Sequence, residues 1–127
     1  MRDSRPVSSK DTRTLIAQAI QDFSREVPAL RNLKLVVRLE LRARGQDVPI
    51  WRVELPGPNI AKEPASDARV EVSIARSHFN ELAAEGKLQH WVDAYERGHV
   101  HVSGDAGVIK LVGNVVIRQM ARGRVMR

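Results

Sequence analysis

Residues 98–120 read GHVHVSGDAGVIKLVGNVVIRQM, and the change of period within them decides the fold class. Val100 and Val102 alternate with His99, His101 and Ser103, the spacing of a short strand with one apolar face. Gly104 closes that strand, and Asp105 offers the carboxylate of a helix N-cap. Val108, Ile109, Leu111, Val112, Val115, Val116, Ile117 and Met120 then recur as the apolar positions of a helix. A strand over 99–102 therefore leads through a glycine and a cap into a long apolar helix.

Upstream, Leu88, Trp91, Val92 and Tyr95 fit a short helix that meets Gly98, and Phe79, Leu82 and Ala83 fit another, capped by Ser77 and ended by Gly86. Val70, Val72 and Ile74 alternate with Arg69, Glu71 and Ser73, so 68–75 is expected as a strand. Two more alternating runs precede it. Leu33, Leu35, Val37, Leu39 and Leu41 share one face, Trp51, Val53 and Leu55 another, and the turn Arg44-Gly45-Gln46-Asp47 joins the two as a hairpin. Pro56-Gly57-Pro58 breaks the second strand, Asn59 to Ala61 is at most a very short strand, and Lys62 to Asp67 reads as a loop. Over 11–25, Leu15, Ile16, Ala19, Ile20 and Phe23 mark an amphipathic helix, with Ser9 or Asp11 as its cap and Pro28 as its stop. Helix, strands, two short helices, strand, helix: this order argues an α+β fold with an antiparallel-rich sheet and against a doubly wound parallel one.

The 127 residues suit one domain, 1–127, with 1–9 and 122–127 expected to be flexible. Hydrophobic residues at 43% and charged residues at 28% are a globular balance, and no run approaches the roughly 18 apolar residues of a membrane span. MRDSRPVSSK has no apolar stretch of the signal-peptide kind, so a cytoplasmic location is expected. The chain has no cysteine, which excludes disulfides, thiolate metal sites and cysteine nucleophiles. The net charge of +6 is concentrated towards the ends, at Arg2, Arg5, Lys10 and Arg13 and at Arg118, Arg122, Arg124 and Arg127. An anionic membrane surface suits that pattern. Nucleic acid is not expected as a partner, because aromatics are only 4% and no recognition motif accompanies the charge.

The final helix carries more apolar surface than one contact needs. Val108, Leu111, Val112 and Val115 already form the stripe that packs a helix on a sheet, and Ile109, Val116, Ile117 and Met120 widen it. Either this helix is central to a compact core, or a second apolar body covers the rest: the first helix, a partner chain such as a second copy, or a bound ligand. Phe79, Leu82, Trp91 and Tyr95 on the two short helices either wall a pocket across the open end of the sheet or, for the aromatics, plug the core.

Four segments taken together carry a resemblance: Asp67-Ala68-Arg69-Val70-Glu71-Val72-Ser73-Ile74; Ser77-His78-Phe79 leading to Leu82 and Glu85-Gly86-Lys87; Gly98 to Asp105; and Ile109-Lys110-Leu111. In this order and spacing they resemble the sterol carrier protein-2 family of lipid-binding domains. The resemblance implies a five-stranded, mostly antiparallel sheet covered on one side by helices, with a hydrophobic tunnel between them, and non-catalytic binding or transfer of a fatty acyl, sterol-like or phospholipid molecule. The alternative is a protein-protein interaction module whose apolar surface is covered by a partner chain, with no tunnel. Between Lys87 and Gly98 the chain departs from the family in its helical stretch with Trp91 and Tyr95, so the tunnel is expected to be narrowed or reshaped. The expected wall is Trp51, Val53, Phe79, Leu82, Trp91, Tyr95, Val102, Val108, Val112 and Val116.

Catalytic and metal chemistry find little support. His99 and His101 lie two apart, with Asp105 near, but no third ligand has metal-site spacing. His78 and His90 read as surface helix residues. Ser73 and Ser103 lack a nucleophile elbow and a readable histidine–carboxylate pairing, and Gly104-Asp105-Ala106-Gly107 lacks a P-loop lysine. No enzyme activity and no cofactor is expected.

Overall fold

The computed structural model describes residues 9–43, 49–85 and 87–125, with the side chains of 12–43, 49–84 and 87–121. Most of the ends expected to be flexible, the turn at Arg44-Gly45-Gln46-Asp47 and the helix-ending Gly86 lie outside the described residues, and the caps Ser9 and Asp11 lie outside the described side chains. In chain order the elements are α1 (Ser9–Glu26), a 3-10 turn (Pro28–Asn32), β1 (Leu35–Arg42), β2 (Ile50–Leu55), β3 (Asn59–Ala61), β4 (Val70–Ala75), α2 (Arg76–Glu85), α3 (Leu88–Glu96), β5 (Val100–Gly104) and α4 (Ala106–Val125).

The strands form one sheet in the order β3-β2-β1-β4-β5. Three of its pairings are antiparallel, and β1 with β4 is parallel. Register sorts the side chains. Val37, Leu39 and Leu41 stand beside Val53 and Trp51 on β2 and beside Val70, Val72 and Ile74 on β4, which in turn lie beside Val102 and Val100 on β5. This is the face the helices cover. α1 lies against α2 and reaches β3, α2 packs on β4 and β1, and α3 and α4 meet β5. Trp51, Ile16, Leu41, Ile74 and Val53 are fully buried there, each worth about 1.5–3 kcal/mol of transfer from water.

The opposite face is polar. Arg38, Arg52, Glu54, Glu71 and Ser103 point away from the helices, and Arg38 pairs with Glu40 and Glu71. The parallel β1–β4 pairing obliges the chain to cross from β3 at one edge to β4 beyond β1. That crossover is held by Arg52, whose guanidinium meets Asp67 at 2.7 Å and Glu63 at 3.8 Å.

Local chemistry sets the boundaries. α1 ends at Glu26, and Pro28 opens the 3-10 turn. Lys87, ahead of α3, makes no side-chain cap; instead the Glu26 carboxylate accepts from the Leu88 backbone N–H at 2.8 Å. α3 closes with paired bonds, Gly98 N–H to Tyr95 O and His99 N–H to Ala94 O, with Gly98 at φ +83°. Asp105 caps α4 as expected, its Oδ1 accepting from Val108 N–H at 3.1 Å. Ser77 is not a cap: β4 feeds directly into α2 at Arg76, which places Ser77 inside the first turn. There the Arg76 guanidinium donates to Thr12 Oγ1 at 2.5 Å, tying α2 to the buried Thr12 of α1.

Candidate functional site

Two apolar clusters occupy the helix-covered side. The larger joins Ile16 and Ala19 of α1 to Leu39, Leu41, Trp51, Val53, Ile74 and Val100 of the sheet and to Phe79, Leu82, Ala83 and Ala94 of α2 and α3. The second lies among helices: Val27, Leu30 and Leu88 are buried, with Phe23, Leu33, Val92, Val112, Val115, Val116 and Met120 packed on them. Trp91 connects the two. Its ring stands edge-on to Phe79, centroids 6.0 Å apart, and to Phe23 at 6.2 Å, the geometry favoured by the ring quadrupoles.

The expected wall residues divide along this line. Trp51, Val53, Phe79 and Leu82 are buried in the larger cluster, with Trp91 and Val102 half-buried against it, while Val112 and Val116 pack on the second. Val108 is half-buried and belongs to neither cluster. Tyr95 is 54% exposed and points away from both. Phe23, Leu30 and Leu88 join the second cluster without belonging to the expected wall; for Phe23 the apolar stripe of α1 is the signal that points there.

α4 is apolar yet poorly covered. Its half-buried side chains Val108, Ile109, Val112, Val115, Val116, Gln119 and Met120 span an arc of about 140° at 100° per residue, wider than one sheet contact needs. Among the described side chains of α4 none is fully buried. On the far side Leu111 is 49% and Ile117 66% exposed, between the basic Lys110 and Arg118.

Among the described residues, the Trp51 side chain on the sheet's apolar face lacks an acceptor. It is 1% exposed, and its indole Nε1 is buried without a hydrogen-bond partner. The Arg13 guanidinium stands 5.9 Å and the Lys62 ammonium 6.0 Å from the ring centre. At the opposite end of the strands, a cleft of about 370 Å³ opens among Lys34–Val36, Glu54–Pro56, Asp67 and Arg69. Two of its charged walls are engaged: Arg52 holds Asp67, and Arg69 meets Asp105 at 2.7 Å. Hydrogen bonding to Arg52 lowers the Asp67 carboxyl below the ordinary carboxylate range, and Arg69 with the Val108 N–H does the same for Asp105.

The histidines do not gather. His99 precedes β5 and stacks on His78 with ring centres 4.3 Å apart, whereas His101 lies on the polar face opposite Ser73. Among the described residues no group of three or more His, Asp or Glu is placed to hold a metal ion. One juxtaposition escaped sequence reading, because strand order brings Glu40, Ser73 and His101 into a single row. The row has the wrong order for a hydrolytic triad: the serine separates the imidazole from the carboxylate, and Ser73 Oγ accepts from Arg42 Nε at 2.9 Å.

No protein-family model matches the chain, and neither does any curated protein. Solved structures do. The palmitated SCP2L2 of Aedes aegypti matches with a TM-score of 0.55 and 19% identity, over 80% of this chain and 93% of that one. Sterol carrier protein 2 from Yarrowia lipolytica, in its apo form, matches at 0.55 and 14% identity, over 90% and 93%. The ubiquinone synthesis protein UbiJ-SCP2 matches at 0.52 and 19% identity, over 92% and 97%. The matches run through four helices and a five-stranded mixed, mostly antiparallel sheet, and this chain has the sterol carrier protein-2 fold.

Proposed function

We propose that this chain binds an apolar or amphiphilic molecule, such as a fatty acyl chain, a sterol-like compound or a phospholipid, without covalent chemistry, in the cytoplasm. The ligand lies along the seam from Trp51 past Phe79 and Trp91 to the inner side of α4. The observation that carries this reading is the state of α4: a largely apolar arc of about 140° in which no described side chain is fully buried. A ligand against Val108, Val112 and Val116 would remove that surface from water, at about 25 cal/mol per Å². The palmitated relative supports the acyl class. α4 contains no acidic residue, and Lys110 and Arg118 flank Leu111 and Ile117 on its exposed side. That composition suits docking on an anionic bilayer where ligand is exchanged.

A second reading, an interaction module closed by another protein chain, is favoured by the exposure of Leu111 and Ile117. Native mass spectrometry with solvent extraction of the purified protein separates the two. A monomer carrying one extractable lipid is the expected result; a ligand-free dimer would replace the first reading by the second.

A further inference from the structure

Packing accounts for the ring of Trp51 but leaves its indole N–H without a partner among the described residues. The residue sits near the start of β2 on the helix-covered face, paired with Leu39, inside the larger apolar cluster. An indole nitrogen can only donate. Donors buried this deeply in folded proteins are hydrogen-bonded as a rule, yet Trp51 Nε1 has no acceptor among the described residues. Two cationic groups from separate elements lie over its ring, Arg13 of α1 at 5.9 Å and Lys62, just beyond β3, at 6.0 Å from the ring centre. A purely hydrocarbon ligand would use none of these groups. An amphiphile ending in an acidic oxygen would pair the indole N–H and bring its charge near those cations.

We propose that Trp51 marks the polar end of the ligand site: its indole N–H donates to a carboxylate or phosphate oxygen of the bound amphiphile, and Arg13 and Lys62 supply the positive charge beside that oxygen. The inference rests on the lipid-binding reading and deepens it, fixing which end of the seam takes the head group. The acyl chain then runs from Trp51 towards Phe79 and Trp91.

The test uses the full chain with its two tryptophans labelled at the indole nitrogen, their resonances assigned with Trp51→Phe and Trp91→Phe. Palmitate, dodecyl phosphate and hexadecanol are titrated in turn. Palmitate or dodecyl phosphate is expected to move the Trp51 N–H resonance, and the one that does so identifies the acidic group. In the double variant Arg13→Gln, Lys62→Gln, the affinity for that amphiphile falls roughly tenfold, while the affinity for uncharged hexadecanol changes less than twofold. Binding of both acids with an unmoved Trp51 resonance overturns the inference and leaves the lipid-binding reading standing. Equal loss of acid and alcohol in the double variant overturns it too. If none of the three amphiphiles binds the unmodified protein, the lipid-binding reading fails and this inference with it.

Discussion

Arg52 of β2 grips Asp67 of the crossover with two hydrogen bonds, Nη2 to Oδ2 at 2.7 Å and Nε to Oδ1 at 3.1 Å. The pair joins the polar face of the sheet to the segment that lets β4 lie parallel to β1. Its two-point geometry fixes direction as well as distance, which a single contact between flexible side chains does not.

The same contact sets a dependence on pH. Asp67 is held below the ordinary carboxylate range by Arg52, so its unfolded form binds a proton more readily than its folded form. The stabilisation is therefore complete above the unfolded carboxylate value, about 3.9, and is lost as pH falls through the lowered folded value. Urea midpoints measured from pH 6 to pH 2 should fall less steeply for Asp67→Asn than for the unmodified chain. Parallel curves would mean that the pair contributes nothing.

Asp105 acts in two directions at once. One carboxylate oxygen caps α4 at the Val108 N–H and the other meets Arg69, so Asp105→Asn keeps an acceptor while losing the ion pair, and Asp105→Ala loses both. Melting temperatures should rank unmodified above Asn above Ala. An Asn variant as unstable as Ala would show the cap to be idle.

Much of this fold was legible because one face of the sheet is wet. Val37, Leu39 and Leu41 alternate with Arg38, Glu40 and Arg42 only because water lies on one side and helices on the other. Alternation says nothing about neighbours, so the parallel β1–β4 pairing and the Glu40–Ser73–His101 row lay beyond it. The site was legible in composition more than in place. Periodicity marked α4 as apolar, but it could not say that the helix would meet β5 and the 3-10 turn and leave Leu111 and Ile117 exposed. Nor could it turn Tyr95 outward, since one helical face of α3 accommodates both Trp91 and an exposed ring.

Glycine at 104 serves two purposes. Its φ of +121° is outside the range of ordinary side chains, and a Cβ there would stand 2.4 Å from the Arg69 carbonyl oxygen. Gly98 has φ +83° with open space around it. Gly104→Ala should cost about 3 kcal/mol or more, strain plus a backbone clash, and Gly98→Ala only about 1 kcal/mol. Equal losses in denaturant unfolding would show that the close approach of β5 to Arg69 relaxes freely.

The two sides of α4 separate the readings of function. Val116 is half-buried against the inter-helix cluster, and its chain neighbour Ile117 is 66% exposed. Val116→Thr preserves shape and adds a hydroxyl, so a ligand covering that side must desolvate it, a cost of about 1–3 kcal/mol. The affinity for an acyl probe should fall roughly tenfold, while Ile117→Thr leaves it within twofold. Under the interaction-module reading the order reverses: Ile117→Thr weakens association of the chains and Val116→Thr does little. Sedimentation of both variants beside the acyl-probe titration therefore decides which side of the helix is in use, and an acyl affinity indifferent to Val116 would remove α4 from the ligand site.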